Sequence, residues 1–123
     1  MERIVRRRND GQPLLTYISN KIQDFKVEDD FEKHREEVEK LLLGVKVRFT
    51  YKQRRPYKVV GVTSNNVREI SVYHESKSIS LVQYYKKKYD VDVVHHDLPG
   101  VILRVKRGRD KFVPFELCTG LHI

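Results

Sequence analysis

The chain has 123 residues, 39% of them apolar and 34% charged, with 25 Lys and Arg against 17 Asp and Glu for a net charge of +8. One domain's length with this much Val, Ile, Leu, Phe and Tyr excludes a wholly disordered chain. The single cysteine excludes an intramolecular disulfide framework and favours a reducing compartment, and no apolar run is long enough to span a bilayer.

The charge changes sign along the chain. Residues 1–23 carry 5 basic and 2 acidic groups, residues 24–40 carry 4 and 8, and residues 41–123 carry 16 and 7. A basic C-terminal two-thirds favours a polyanion through phosphate contacts and counterion release. Residues 1–12, with Arg3, Arg6, Arg7 and Arg8, read as a basic tail or linker without the apolar stretch of a secretory signal. Residues 13–43 read as a helical lead-in. Pro13 suits a first helical turn, and Leu14, Ile18, Ile22 and Phe25 follow at helical spacing. Asp29 with Glu32 resembles a capping box, after which Phe31, Val38, Leu41 and Leu42 mark a second helix ended by Gly44. These helices hold the acidic charge and are expected to pack on the basic part rather than meet a phosphate.

After Gly44 the period falls to two. Val45, Val47, Phe49 and Tyr51 alternate with polar residues as a half-buried strand. A polar turn over 52–56 leads to a second strand over 57–63, then a turn at Ser64-Asn65-Asn66 and a third strand over 69–74. Ser78 or Ser80 can cap a helix running to about Tyr89. Strands are expected over 91–94, 101–105 and 111–118, with Pro114 tolerable only at an edge or bulge. The pattern predicts a mainly β domain with helices, a small partly open barrel carrying a helical insert.

Chemistry by the chain itself has little support. His95 and His96 are adjacent on an extended segment and point to opposite faces. Cys118 and His122 lack a second pair to complete a tetrahedral metal set. Nothing around Cys118 activates a thiol, and the six glycines never cluster into a phosphate loop. No catalytic residue, metal or cofactor is expected. The stronger signal is aromatic rings interleaved with cations: Tyr51, Arg54, Arg55 and Tyr57, and again the run 84–89, Tyr84-Tyr85-Lys86-Lys87-Lys88-Tyr89. Tyrosine hydroxyls and cations grip phosphates while ring faces stack bases or ribose. Tyr85 shares a helix face with Leu81 and Val82 and reads as core. Tyr84, Lys88 and Tyr89 read as phosphate contacts.

These residues resemble a known family. Gly44-Val45-Lys46-Val47, Arg55-Pro56-Tyr57-Lys58-Val59 and Gly61-Val62-Thr63-Ser64 look like the first part of a PAZ domain of the Argonaute/Piwi superfamily. The stretch 80–89 is similar to its helix, and Asp97-Leu98-Pro99 with Val113-Pro114-Phe115-Glu116-Leu117-Cys118 to its closing strands. The resemblance covers about residues 40–120 and sets the domain at 44–120. It implies an SH3/OB-like small barrel with an inserted hairpin–helix module. The cleft between them would anchor the 3′ end of a single-stranded small guide RNA, or a duplex 3′ overhang, largely without regard to sequence. Tyr84 and Tyr89 would contact the phosphate beside the terminal nucleotide, and Arg55, Tyr57 and Lys88 that phosphate or the one before it. Val113, with Phe112 beside it, would line the floor under the terminal sugar. Tyr51 stands where the family often has His and can still donate one hydrogen bond. Val72, with Tyr73 next to it, stands where a stacking Phe is often found, and register decides which of the two packs on the terminal base. The implied partners are a small RNA 3′ end and the other domains of an Argonaute/Piwi-type protein, with no membrane; the implied setting is RNA silencing by a monomer, not an enzyme by itself, in the cytoplasm with the nucleus as a second location. The alternatives are the PAZ domain of a Dicer-like nuclease, a basic SH3-like protein-interaction domain and, last, a Cys/His hydrolase.

Overall fold

The change of period at Gly44 divides the chain into its helical and sheet-forming parts. The computed structural model describes residues 11–28, 30–51, 55–106 and 109–121. Helix α1, Leu14–Lys21, buries Leu14, Tyr17 and Ile18. Pro13 precedes it as the N-cap and pairs with Thr119 as half of a two-residue strand, β1, Gln12–Pro13. The apolar spacing outlasts the helix: Ile22 and Phe25 are buried from the turn that follows. The cap of the next segment is Asp30, whose carboxylate accepts the Glu32 N–H at 3.1 Å and starts a short 3₁₀ turn, Phe31–Lys33; Asp29 lies outside the described residues. Helix α2 follows, Arg35–Leu42, and Gly44 turns the chain beyond it at φ +86°.

Arg35 engages two of the acidic groups of the lead-in. Its guanidinium donates to Glu32 at 2.8 and 2.9 Å and to Glu39 at 3.3 Å, and reaches the carbonyls of Thr63 and Ser64 at 3.0 and 3.2 Å. The Arg35 hydrogen bond holds the Glu32 carboxyl below its ordinary pKa. The acidic helix is thereby fastened to the sheet by one bidentate cation, and α1, α2 and the strands share a single apolar cluster.

The main sheet has six antiparallel strands in the order β1-β8-β2-β3-β6-β7. Here β2 is Lys46–Phe49, β3 Tyr57–Val62, β6 Gly100–Lys106, β7 Arg109–Pro114 and β8 Cys118–Gly120. Register shifts at Val59/Gly61 and Arg104/Lys106 bend it. Two expectations change. Residues 91–94 are not a strand: the Glu116 carboxylate accepts the N–H groups of Val94 and His95 at 2.8 and 2.9 Å, taking the donors a strand partner would use. The expected strand over 111–118 is broken by a 3₁₀ turn, Phe115–Leu117, that carries the chain from β7 at one edge to β8 on the far side of β2. Pro114 ends the edge strand opposite Gly100, where its missing N–H costs no ladder bond.

A second unit is inserted between β3 and β6. A 3₁₀ turn, Val67–Glu69, replaces the start of the expected third strand, which becomes β4, Ser71–His74. It forms a hairpin with β5, Lys77–Ser80, a strand the sequence pattern did not show. The reason is the turn. Glu75 and Ser76 both have positive φ, 53° and 68°, as a two-residue hairpin requires, without the Asn-Gly that usually announces it. Ser80 then caps helix α3, Leu81–Tyr89, in a reciprocal box with Gln83 at 3.1 and 3.2 Å. Asp90, left-handed at φ 56°, ends it.

Candidate nucleic-acid interface

The inserted unit and the β6–β7 hairpin face each other across a cleft of about 510 Å³. Val72 and Tyr73 of β4 and Leu81 and Tyr84 of α3 form one wall, and Val105, Arg109, Asp110, Lys111 and Phe112 the other. One side is therefore apolar and aromatic and the other largely charged, the mixture that suits a sugar and base beside a phosphate.

Helical spacing brings three phenols and a lysine together. Lys88 Nζ donates to the Tyr84 hydroxyl one turn away at 3.1 Å and lies 5.5 Å from the ring centroids of both Tyr84 and Tyr89. That hydrogen bond holds the Lys88 ammonium pKa above its ordinary value, so its charge is complete at neutral pH. From the opposite strand Lys111 Nζ reaches the Tyr89 hydroxyl at 3.4 Å and lies over the rings of Phe49 and Tyr89 at 5.1 and 5.5 Å. Two ammonium groups from different elements thus converge on one pair of tyrosines. By contrast Lys86 is engaged by Asp90 and Asp92 at 3.1 and 3.2 Å, so the basic run 86–88 is not uniformly available.

Behind this group the rings form a chain of contacts, of which the one between Phe49 and Tyr51 is stacked. Tyr57 meets Phe49 at 5.7 Å, Phe49 meets Tyr51 at 5.2 Å, and Tyr51 meets Tyr89 at 4.5 Å and Tyr85 at 5.4 Å. Tyr51 and Tyr57 are therefore tied to the α3 tyrosines through rings. The Tyr51 hydroxyl is buried with no partner in hydrogen-bond geometry among the described residues. Burial pushes this phenol well above its ordinary pKa, with the Tyr85 hydroxyl beside it acting the other way. A phosphate would reach it only if the ring moved.

The remaining expected residues are placed as follows. Arg55 is exposed just before β3, and Arg54 lies outside the described residues. Val72 is half-buried against the core while Tyr73, at 82% exposure, stands free at the cleft wall. Val113 has no exposed surface and belongs to the core, so it cannot be the floor under a sugar; Phe112, its neighbour on the opposite face of β7, lines the cleft at 37% exposure. Lys111, Arg109, Asp110 and Phe49 were missed. Their signal was the alternation Arg109-Asp110-Lys111-Phe112, which reads as a polar hairpin arm until its partner across the cleft is known.

Tyr85 is core, as its helix face implies, yet its hydroxyl has a task. It donates at 3.0 Å to the carbonyl of Phe112, bolting α3 to the strand that forms the other wall. Burial raises its pKa, so the proton needed for that bond stays in place. Tyr85→Phe should therefore cost about 1 kcal/mol of stability in urea unfolding.

Among the described residues no group of three or more His, Cys, Asp or Glu is placed to hold a metal. Cys118 is buried, burial pushes its thiol up, and its sulfur faces the Pro114 carbonyl at 3.7 Å.

The cleft thus lies between an inserted hairpin–helix unit and a bent antiparallel sheet, with Tyr84 of α3 in its wall. The PAZ domain family profile matches residues 16–123. The chain belongs to the PAZ domain family. Protein argonaute 1A of Oryza sativa subsp. japonica is 30% identical over 112 residues, covering 86% of this chain and 10% of that protein. The chain thus spans about a tenth of the length of the curated relatives it matches. Among solved structures, the Drosophila Ago PAZ domain in complex with 3′-end 2′-O-methylated RNA has a TM-score of 0.74 at 17% identity, covering 92% of this chain and 99% of that one. The Dicer of Giardia intestinalis has a TM-score of 0.57 at 23% identity over 66% of this chain and 13% of that one. The PAZ match takes in most of α1 and all of α2, in keeping with their share of the common core.

Proposed function

We propose that this PAZ domain holds the 3′ end of a single-stranded small RNA, or a duplex 3′ overhang, in the cleft between α3 and the β6–β7 hairpin. The observation that carries the reading is the convergence of Lys88 and Lys111 on the Tyr84 and Tyr89 hydroxyls at the cleft. A bridging phosphate accepts from these donors, while the exposed Tyr73 ring and the apolar Phe112 and Val72 surfaces take a base and sugar. Such contacts carry little base information. The domain binds and leaves any cutting of RNA to other parts of a longer Argonaute/Piwi-type protein. The bent sheet is the opened SH3/OB-like barrel of this reading, its two register shifts supplying the curvature. Wider coverage by the Argonaute structure than by the Dicer structure favours the former over a Dicer-like context.

The test is a labelled RNA of one sequence in linear and circular form. The linear form is expected to bind, with a steep loss of affinity as salt rises, and the circular form to fall to weak, non-specific binding. Changing the terminal base should alter affinity by less than about tenfold, ~1.4 kcal/mol. Equal affinity for the two forms would remove the end-binding reading, and a shallow salt dependence would favour a peptide-binding SH3-like domain.

A further inference from the structure

We infer that Asp110 selects the chemical state of the RNA terminus, admitting a free 3′-hydroxyl and turning away a 3′-phosphate; this rests on the end-binding reading above. The cleft's own charge raises the problem. Arg109 and Lys111 line it, and Lys88 is bonded to its Tyr84. A cleft with only these charges would prefer a terminal phosphate, which adds up to two negative charges, over a hydroxyl. Asp110 is the one carboxylate among the described lining residues.

Its position on β7 suits it to act at the sugar. Asp110 is two residues from Phe112 and so shares its face of the strand, and both line the cleft. Lys111 falls on the other face, with its ammonium against the Phe49 and Tyr89 rings. Lys111 and Asp110 both line the cleft, but alternation along the strand turns a cation suited to the bridging phosphate and an anion suited to the terminal group in different directions. A carboxylate only accepts hydrogen bonds. It can take the O–H of a ribose hydroxyl, whereas a phosphate oxygen in the same place meets like charge. This is selectivity by repulsion, which a pocket of cations cannot supply. Arg104 opposite is ion-paired to Asp110 through Nε and Oδ1, with the two side chains 50% and 37% exposed. The pair engages one carboxylate oxygen and steadies the group at the cleft wall. If Asp110 served only to hold Arg104, breaking the pair from either side would have the same effect on RNA.

The experiment compares one labelled RNA ending in 3′-hydroxyl with the same RNA ending in 3′-phosphate, on the full chain and on Asp110→Asn and Arg104→Gln. The parent should favour the hydroxyl end about tenfold. In Asp110→Asn the ratio should collapse towards one because the phosphate end binds more tightly. Arg104→Gln leaves the carboxylate in place and should keep the parent's preference or increase it. An unchanged ratio in Asp110→Asn, or equal shifts in both variants, overturns the inference. With circular RNA as control, end-dependent binding at an unchanged ratio removes only the role of Asp110. Equal binding of the circle removes the end-binding reading and this inference with it. Circular dichroism should show all variants folded.

Discussion

Tyr84→Phe and Lys88→Ala should each lower RNA affinity by about tenfold or more, since a hydrogen bond to a charged group is worth ~1.5–3 kcal/mol. The two are bonded to each other at 3.1 Å, so their effects should not add: Tyr84→Phe removes a donor to phosphate and also releases the lysine from its place over two rings. The double variant should lose less than the product of the singles. Lys88→Ala should in addition make the salt dependence shallower, by about 0.7 in log–log slope for a single strand. Lys33, in the 3₁₀ turn of the acidic lead-in, is the control and should change neither quantity. Fluorescence anisotropy at several salt concentrations compares the parent with the four variants. Parent-like binding by both single variants, with the fold intact, would mean that the phosphate is gripped elsewhere.

Gly100→Ala should destabilise the domain by about 1–3 kcal/mol, a large part of the margin of a small domain. A Cβ there would stand 2.6 Å from the Val113 carbonyl oxygen and 3.0 Å from its carbon, both backbone of the paired strand, so no side chain can yield to admit it. Gly100 is also held from the other side: its N–H donates to Thr63 Oγ1 at 2.9 Å and its carbonyl accepts from Thr63 N at 2.8 Å. Relief would have to come from β7, the strand that bears Phe112 and Asp110, so RNA affinity should fall as well. Gly61→Ala is the matched control in β3, where a Cβ would meet only the end of the Ile102 side chain at 3.4 Å. Urea unfolding of both variants checks the difference, and equal midpoints would show that β7 moves aside freely.

Much of the architecture was legible because it rests on local rules. The shift from period 3.6 to 2 at Gly44, the Ser80 cap, the end of α3 at Tyr89 and the core position of Tyr85 each depend on residues a few places apart. What was misread depends on distant partners. Residues 91–94 look like a strand until Glu116 takes their N–H groups. The β4–β5 hairpin is implied by the family resemblance but hidden in the residue pattern, because its turn uses Glu75 and Ser76 at positive φ, which tertiary packing tolerates and propensity disfavours.

The sequence by itself determined the charge division, the two classes of structure and the pairing of Tyr84 with Lys88, since one helical turn is enough to bring those two side chains together. Only the tertiary structure decided which residues face them. The pairing of β6 with β7 turned Phe112 to the cleft and Val113 to the core, brought Lys111 to Tyr89 and placed Asp110 on the face of Phe112, beside Arg104. On a strand a shift of one residue exchanges the two faces, and nothing local to residues 109–113 sets that register.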